Sequence, residues 1–275
     1  MDYRITFEKE VKTKIPIILK TPNGPDFKPI SLSELKLAIK KSNERSTPGL
    51  DRISNSMLKN LPHNTLEDIL SLFNLSLLES NFPRSWKKAC ISMIPKKDGM
   101  SSDPSNYRPI SVTSCLGKIL ERIMTNRLNL FLEKNSLLVK EQSGFRRHRR
   151  TADNLMFLIQ KISESFILGK SVCCLFFDIS KAFDRVWHDG LIYKLYSLGV
   201  PIYLIKWIIS FLSLRQFCVV VNGCFSDMFI IRAGVPQGSV ISPLLFSVYI
   251  NDIPKRDRSF MSYSLLFADG VMSNL

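Results

Sequence analysis

The sequence is short of histidine and has no paired cysteines. Its three histidines (His63, His148, His188) stand far apart, and no C-x-x-C pair occurs among Cys90, Cys115, Cys173, Cys174, Cys218 and Cys224. Zinc ribbons, zinc fingers and thioredoxin-like redox motifs are therefore without their ligand spacing. The expectation is six reduced thiols packed as small apolar groups in a nuclear or cytoplasmic protein. No apolar run reaches the ~18 residues of a membrane span. The longest, 202–214, is interrupted by Lys206. The first ten residues alternate charged and apolar, without the apolar core of a secretory signal. Acidic residues are scarce: 24 Asp and Glu stand against 38 Lys and Arg, a formal charge of +14. A surplus of that size suits a polyanionic partner, nucleic acid before an anionic membrane, and equally serves simple solubility.

What is present is enough for a large core: 275 residues, 45% hydrophobic and 10% aromatic. Residues 1–30 are mixed, end in the turn-rich Thr21-Pro-Asn-Gly-Pro-Asp26, and read as a connector. Ser31-Leu-Ser-Glu34 is a capping box opening a helix that ends near Ser42. Helices are predicted over 66–78, 115–132 and about 153–166, with a strand over 89–94. The run 171–177 is continuously apolar, as in a strand buried on both faces. A helix from 182 towards 198, another over 202–214, and strands 217–222 and 229–232 about Asn222-Gly223 follow. An apolar helix over 243–250 and a strand over 263–267 complete an α+β pattern.

Two acids stand at the tips of apolar strands, Asp178 after Phe177 and Asp269 after Ala268. A carboxylate there is costly unless paired, exposed or bound to metal. Two on adjacent strands have the chemistry to share divalent cations with substrate phosphates. Asp269-Gly270 also reads as a hairpin turn.

The residues around these acids carry a resemblance. Phe177-Asp-Ile-Ser-Lys-Ala-Phe183-Asp184-Arg-Val-Trp-His188 resembles the first palm motif of reverse transcriptases from non-LTR, jockey-like retrotransposons. Ala233-Gly-Val-Pro-Gln-Gly238-Ser239, with Ser242-Pro-Leu-Leu-Phe246 and Tyr249-Ile-Asn-Asp-Ile253, is similar to the second. Phe267-Ala-Asp269 resembles the start of the third, normally F/Y-A-D-D. Pro48-Gly-Leu-Asp51, Ile94-Pro-Lys96, Asn106-Tyr-Arg-Pro-Ile-Ser111 and Gln142-Ser-Gly-Phe-Arg146 resemble the family's fingers motifs, in its order.

The resemblance implies a right-hand polymerase: fingers over 31–165 and palm over 166–275, ending at the catalytic hairpin with the thumb absent. It implies that Asp178 and Asp269, with the main-chain carbonyl of Ile179, hold two Mg²⁺ ions. Phe183 would lie under the sugar and exclude a 2′-OH. Pro236, Gln237 and Gly238 would approach the incoming dNTP, and Lys96 and Arg108 would bind its triphosphate. Arg146, Arg147, Arg149 and Arg150 would contact the RNA template or DNA primer, the template being the parent element's own RNA. Gly270 stands where the family has its second aspartate. With the chain ending at Leu275, the second half of the catalytic hairpin is expected to be missing. Two readings follow: a piece of an RNA-directed DNA polymerase, or an inactive remnant that only binds nucleic acid.

Overall fold

The computed structural model describes residues 3–96, 102–146, 149–253, 263–267 and 270–274. The stretch read as a connector opens with a helix, α1 (Tyr3–Lys20). Its Val11 and Ile18 are fully buried. Seven residues apart, they lie on one helical stripe and dock a segment whose average composition is unremarkably polar.

The helix α2 (Leu32–Lys40) begins at the capping box: the Ser31 hydroxyl accepts the Glu34 amide and the Glu34 carboxylate accepts the Ser31 amide. The short α3 (Asn55–Lys59), capped by the Ser54 hydroxyl, has too few residues for periodicity to reveal. Ile69, Phe73 and Leu77 of α4 (His63–Leu78) face the core. Then come β1 (Lys88–Pro95), β2 (Tyr107–Val112), α5 (Cys115–Lys134), α6 (Thr151–Ile167) and β3 (Cys174–Asp178). The helix expected from 182 is broken into a 3-10 turn, Ala182–Arg185, and α7 (His188–Ser197). The carbonyls of Phe183 and Val186 are the reason. They accept the amides of Val235 and Gly234, so they are unavailable to continue a helix. After α8 (Ile202–Leu212) come β4 (Gln216–Val221), β5 (Cys224–Phe225), β6 (Phe229–Ile230), α9 (Ser242–Tyr249), β7 (Tyr263–Phe267) and β8 (Gly270–Asn274). The turn at Asn222-Gly223 joins β4 to β5, and β6 pairs with β4 separately.

Together these form a mixed α and β fold. In the larger sheet β1 lies between β2 and β4. It runs antiparallel to β2, from Cys90 opposite Val112 to Pro95 opposite Tyr107, and parallel to β4, from Lys88 beside Gln216 to Ser92 beside Val220. Pro109 is tolerated in β2 because that strand is an edge and its missing N–H interrupts no ladder. Helices α2, α4, α5, α7, α8 and α9 share one apolar core. At its centre Phe82 meets Trp86, Trp207 and Phe211 edge-on, at centroid distances of 5.3–5.7 Å.

The parallel register sets Cys90 beside Cys218, with the two sulfurs 3.7 Å apart. Burial, then the neighbouring thiol, pushes the Cys90 thiol up to about 11. Cys115 and Cys218 are buried as expected, but Cys173 and Cys224 are exposed. One precedes β3 and the other sits in a two-residue strand whose residues are both exposed.

The smaller sheet has the order β3-β8-β7, antiparallel throughout. It corrects three expectations. First, β3 is not buried on both faces; Phe176 is 73% exposed. Among the described residues the three strands contact chiefly one another, and no described layer covers the apolar run. Second, the strand after the turn is present: β8 pairs with β3 on one side and β7 on the other. Third, Phe267 pairs with Gly270, so Gly270 is the first residue of β8 and not part of the turn. The helix α6 forms where predicted, yet none of its residues is buried, and Leu155, Met156 and Ile159 are exposed.

Candidate functional site

The 3-10 turn after β3 and the loop before α9 come from separate sequence motifs, and they interlock. The Val235 amide donates to Phe183 O and the Gly234 amide to Val186 O, both at 2.8 Å. His188 Nε2 lies 2.7 Å from Gly234 O, so that nitrogen carries the proton. Gln237 Nε2 donates to Asp184 Oδ1 at 3.2 Å. The approach is close enough to require glycine at 234. Its φ is +87°, and a Cβ there would stand 2.8 Å from Asp184 Cα and O.

Phe183 is half-buried and stacked on Phe246, with centroids 4.9 Å apart and planes 18° apart. Phe145, from the Gln142–Arg146 motif, meets it edge-on at 6.0 Å. Three motifs distant in sequence thus share one aromatic contact. On the other side of the loop, the Ser111 amide of β2 donates to Gln237 O at 2.9 Å. Gly238, at φ +100°, lies so near that a Cβ would be 3.0 Å from Ser111 O. Between β1, β2 and this loop opens a cleft of about 320 Å³. Asp184, Ser111, Pro236, Gln237 and Arg232 are among its walls.

The structure gathers Phe183, Pro236, Gln237 and Gly238 around this region. Lys96 and Arg108 are not among the residues lining the cleft. Both are exposed; Arg108 is opposite Ile94 on β2, and the Lys96 amide donates to Asn106 O at 2.8 Å. Asp178 is exposed at the end of β3, with no hydrogen bond or ion pair to its carboxylate among the described residues. Its register partner is Gly270, which supplies no side-chain oxygen. Ile179 is half-buried and packs against the core. Asp269 and Arg147 lie outside the described residues. Among the described residues no three His, Cys, Asp or Glu side chains group to hold a metal ion. A single exposed carboxylate without a protein partner still fits Mg²⁺, which takes one or two carboxylates and completes its shell with water and substrate phosphates.

The basic run divides. Arg146 turns inward, 10% exposed at its side chain, and makes a bidentate pair with Glu133 at 2.7 and 3.0 Å. It also donates to Val139 O at 2.8 Å. This occupation is structural, tying the 139–146 loop to the end of α5. Arg149 and Arg150 are exposed, with Arg149 Nη1 on Lys140 O.

Several residues that hold the site are not among the site residues that the sequence singles out. Asn251 donates its amide to Leu137 O and accepts the Val139 amide, both at 2.9 Å. Lys194 donates to Tyr249 O and to Asp252. Glu121 of α5 accepts Ser239 Oγ and the Val240 amide. Glu121 had a readable signal: with Gly117, Met124 and Leu128 it falls on one helical stripe, where an acid is out of place. Immediately before β1 and β4, Lys87 and Arg215 are both buried. Burial, then Arg215, then Arg84 push the Lys87 amine down to about 8.

Residues 94–273 match the family model described as reverse transcriptase (RNA-dependent DNA polymerase). The chain is 40% identical over 230 residues to a probable RNA-directed DNA polymerase from transposon BS of Drosophila melanogaster, covering 83% of this chain and 25% of that protein. It is 39% identical over 226 residues to the RNA-directed DNA polymerase from mobile element jockey of the same species, covering 82% and 24%. It is 36% identical over 249 residues to the probable polymerase from transposon X-element, covering 89% and 27%. The chain thus spans about a quarter of the length of these relatives. No helix among the described residues is long and apolar enough to cross a membrane. The match of the family model over most of the chain, through both interlocked motifs, places this chain in the reverse transcriptase family.

Proposed function

We propose that this chain carries the nucleotidyl-transfer region of an RNA-directed DNA polymerase, with 31–165 acting as fingers and 166–275 as palm. The observation that carries the reading is the interlock of Phe183-Asp184 with Val235–Gln237 beside the cleft. Asp178 and Asp269, with the Ile179 carbonyl, are the residues that would hold Mg²⁺. Bound there, the metal supplies charge stabilisation for attack of a primer 3′-OH on the α-phosphate of a dNTP. Phe183, backed by Phe246 and Phe145, is a rigid ring on which a deoxyribose can rest and against which a 2′-OH would clash. Gln237 offers an amide beside the sugar, and Pro236 and Gly238 let the backbone come close. Lys96 and Arg108 bind the triphosphate from the fingers. Arg149 and Arg150, with Arg147, meet the phosphates of the RNA template or DNA primer, and Arg146 holds their loop through Glu133. The compartment is nuclear or cytoplasmic, where the parent element's RNA is the template.

Primer extension on an RNA template with Mg²⁺ and dNTPs tests this. Synthesis by the 275-residue chain that disappears in Asp178→Asn supports the reading. A second reading, a nucleic-acid-binding remnant, is favoured by one observation, the glycine opposite Asp178. It predicts no synthesis but salt-dependent RNA binding. Neutralising Arg149 and Arg150 should then reduce the salt slope by about 2.

A further inference from the structure

Glu121 sits midway along α5, 1% exposed, among the buried side chains of Leu120, Met124 and Leu128. A carboxylate in such a place is costly unless hydrogen bonds replace its water. A single oxygen, Oε2, accepts both the Ser239 hydroxyl at 2.5 Å and the Val240 amide at 2.8 Å. The donors come from 118 and 119 residues further along the chain, directly after Pro236-Gln237-Gly238. The Ser239 amide in turn donates to Pro236 O at 3.2 Å.

The segment 234–240 is therefore held from three sides. The turn after β3 takes the amides of Gly234 and Val235, β2 takes Gln237 O through Ser111, and α5 takes Ser239 and Val240. The last contact is charge-assisted, as is the longer Gln237–Asp184 bond at 3.2 Å, and such bonds are about twice as strong as neutral ones. The charge also has cations nearby. Arg122 and Arg215 both feel the Glu121 carboxylate, and the Arg215 guanidinium, donating to Phe211 O, keeps Nε and Nη2 without a partner.

We infer that Glu121 is a positioning residue for the nucleotide-facing loop: its buried carboxylate fixes Ser239 and Val240 and so sets where Gln237 stands. This rests on the proposed role of residues 236–238. Glu121 acts through the loop and does not touch substrate.

The test compares Glu121→Ala, Glu121→Gln and Ser239→Ala in the full 275-residue chain, with two readouts. The first is amide hydrogen exchange at 234–240. Glu121→Ala should accelerate it about tenfold or more and Ser239→Ala less, while Glu121→Gln, which keeps an acceptor oxygen, should recover most of the protection. The second is nucleotide handling, read as dTTP affinity with Mg²⁺ and as KM against kcat in primer extension. Glu121→Ala should weaken dTTP by about tenfold, mostly in KM, with rescue by Gln. Unchanged exchange in Glu121→Ala overturns the inference, as does faster exchange with unchanged dTTP affinity. A wild-type chain that binds no dTTP overturns the nucleotide reading and leaves the loop anchorage to be decided by exchange alone. If Glu121→Ala does not fold, Ser239→Ala, which removes one bond from the donor side, decides both readouts.

Discussion

Asp178 and Gly270 are register partners across β3 and β8. Directly opposed residues of an antiparallel pair present their side chains on one face, with Cβ atoms about 5 Å apart. An aspartate at 270 would set a second carboxylate beside Asp178. Gly270→Asp should tighten Mg²⁺ or Mn²⁺ about tenfold by calorimetry, and should lower stability slightly in EDTA through like-charge repulsion. Unchanged metal affinity would mean that the two positions do not face each other in solution.

Two glycines at positive φ separate backbone strain from crowding. Gly234 combines φ +87° with backbone atoms 2.8 Å from where a Cβ would stand, whereas Gly169 has φ +64° and open space on that side. Gly169→Ala should cost about 1 kcal/mol, the left-handed penalty alone. Gly234→Ala should cost about 3 kcal/mol or more, because Asp184 backbone must move. Urea melts of the two variants measure the difference, and equal losses would refute the close approach.

Phe183 has a packing role and a proposed selective one, and these come apart by assay. Phe183→Ala removes the stack on Phe246 and the edge contact with Phe145. A loss of about 2 kcal/mol is expected for this half-buried ring. Phe183→Val keeps more of the packing while opening space at the sugar. In primer extension its preference for dTTP over UTP should fall about tenfold or more. Retained discrimination in the valine variant assigns Phe183 to packing alone.

Lys87 should give stability an alkaline dependence. It is 4% exposed and its amine reaches Ser210 Oγ at only 3.4 Å. Its pKa is lowered from 10.5 to about 8 by burial, then by Arg215 and Arg84. Between those two values the unfolded chain binds a proton that the folded chain has released. Stability therefore rises with pH across that window, and the cost of burying the charge is full below about 8. Lys87→Met should be more stable at pH 7 by about 1–3 kcal/mol and should flatten the rise. Urea melts at pH 7, 9 and 10 check both, and a less stable variant at pH 7 would contradict the burial argument.

Much of the site was readable because its residues cluster in short motifs with local spacing. Phe183, Pro236, Gln237 and Gly238, which the resemblance singled out as nucleotide-facing, lie in and beside the interlocked region. The fold was less evenly readable. Capping and periodicity located α2, α4, α5, α8 and α9, since a helix advertises its buried stripe locally. The helix α1 escaped because it is held by contacts with distant elements, among them Phe7 on Trp187 and Tyr193 and the Tyr193 hydroxyl on Glu10. In β3 the apolar run was read correctly as a strand and incorrectly as buried, since composition says what a face could bury and not what covers it.

By itself the sequence determined the helical periods, the turn at Asn222-Gly223, the strand-tip aspartate and the family. Tertiary structure alone decided which charges are left exposed and which hold the frame. Arg146 and Arg149 are three residues apart in one basic run, yet the first pairs with Glu133 and the second is exposed. Glu121 and Ser239 meet only because a parallel β1–β4 pairing and the α5 packing close a loop of more than a hundred residues. A hydrogen bond depends on separation in space and on the loss of water around it. Neither quantity is written in the local spacing of residues.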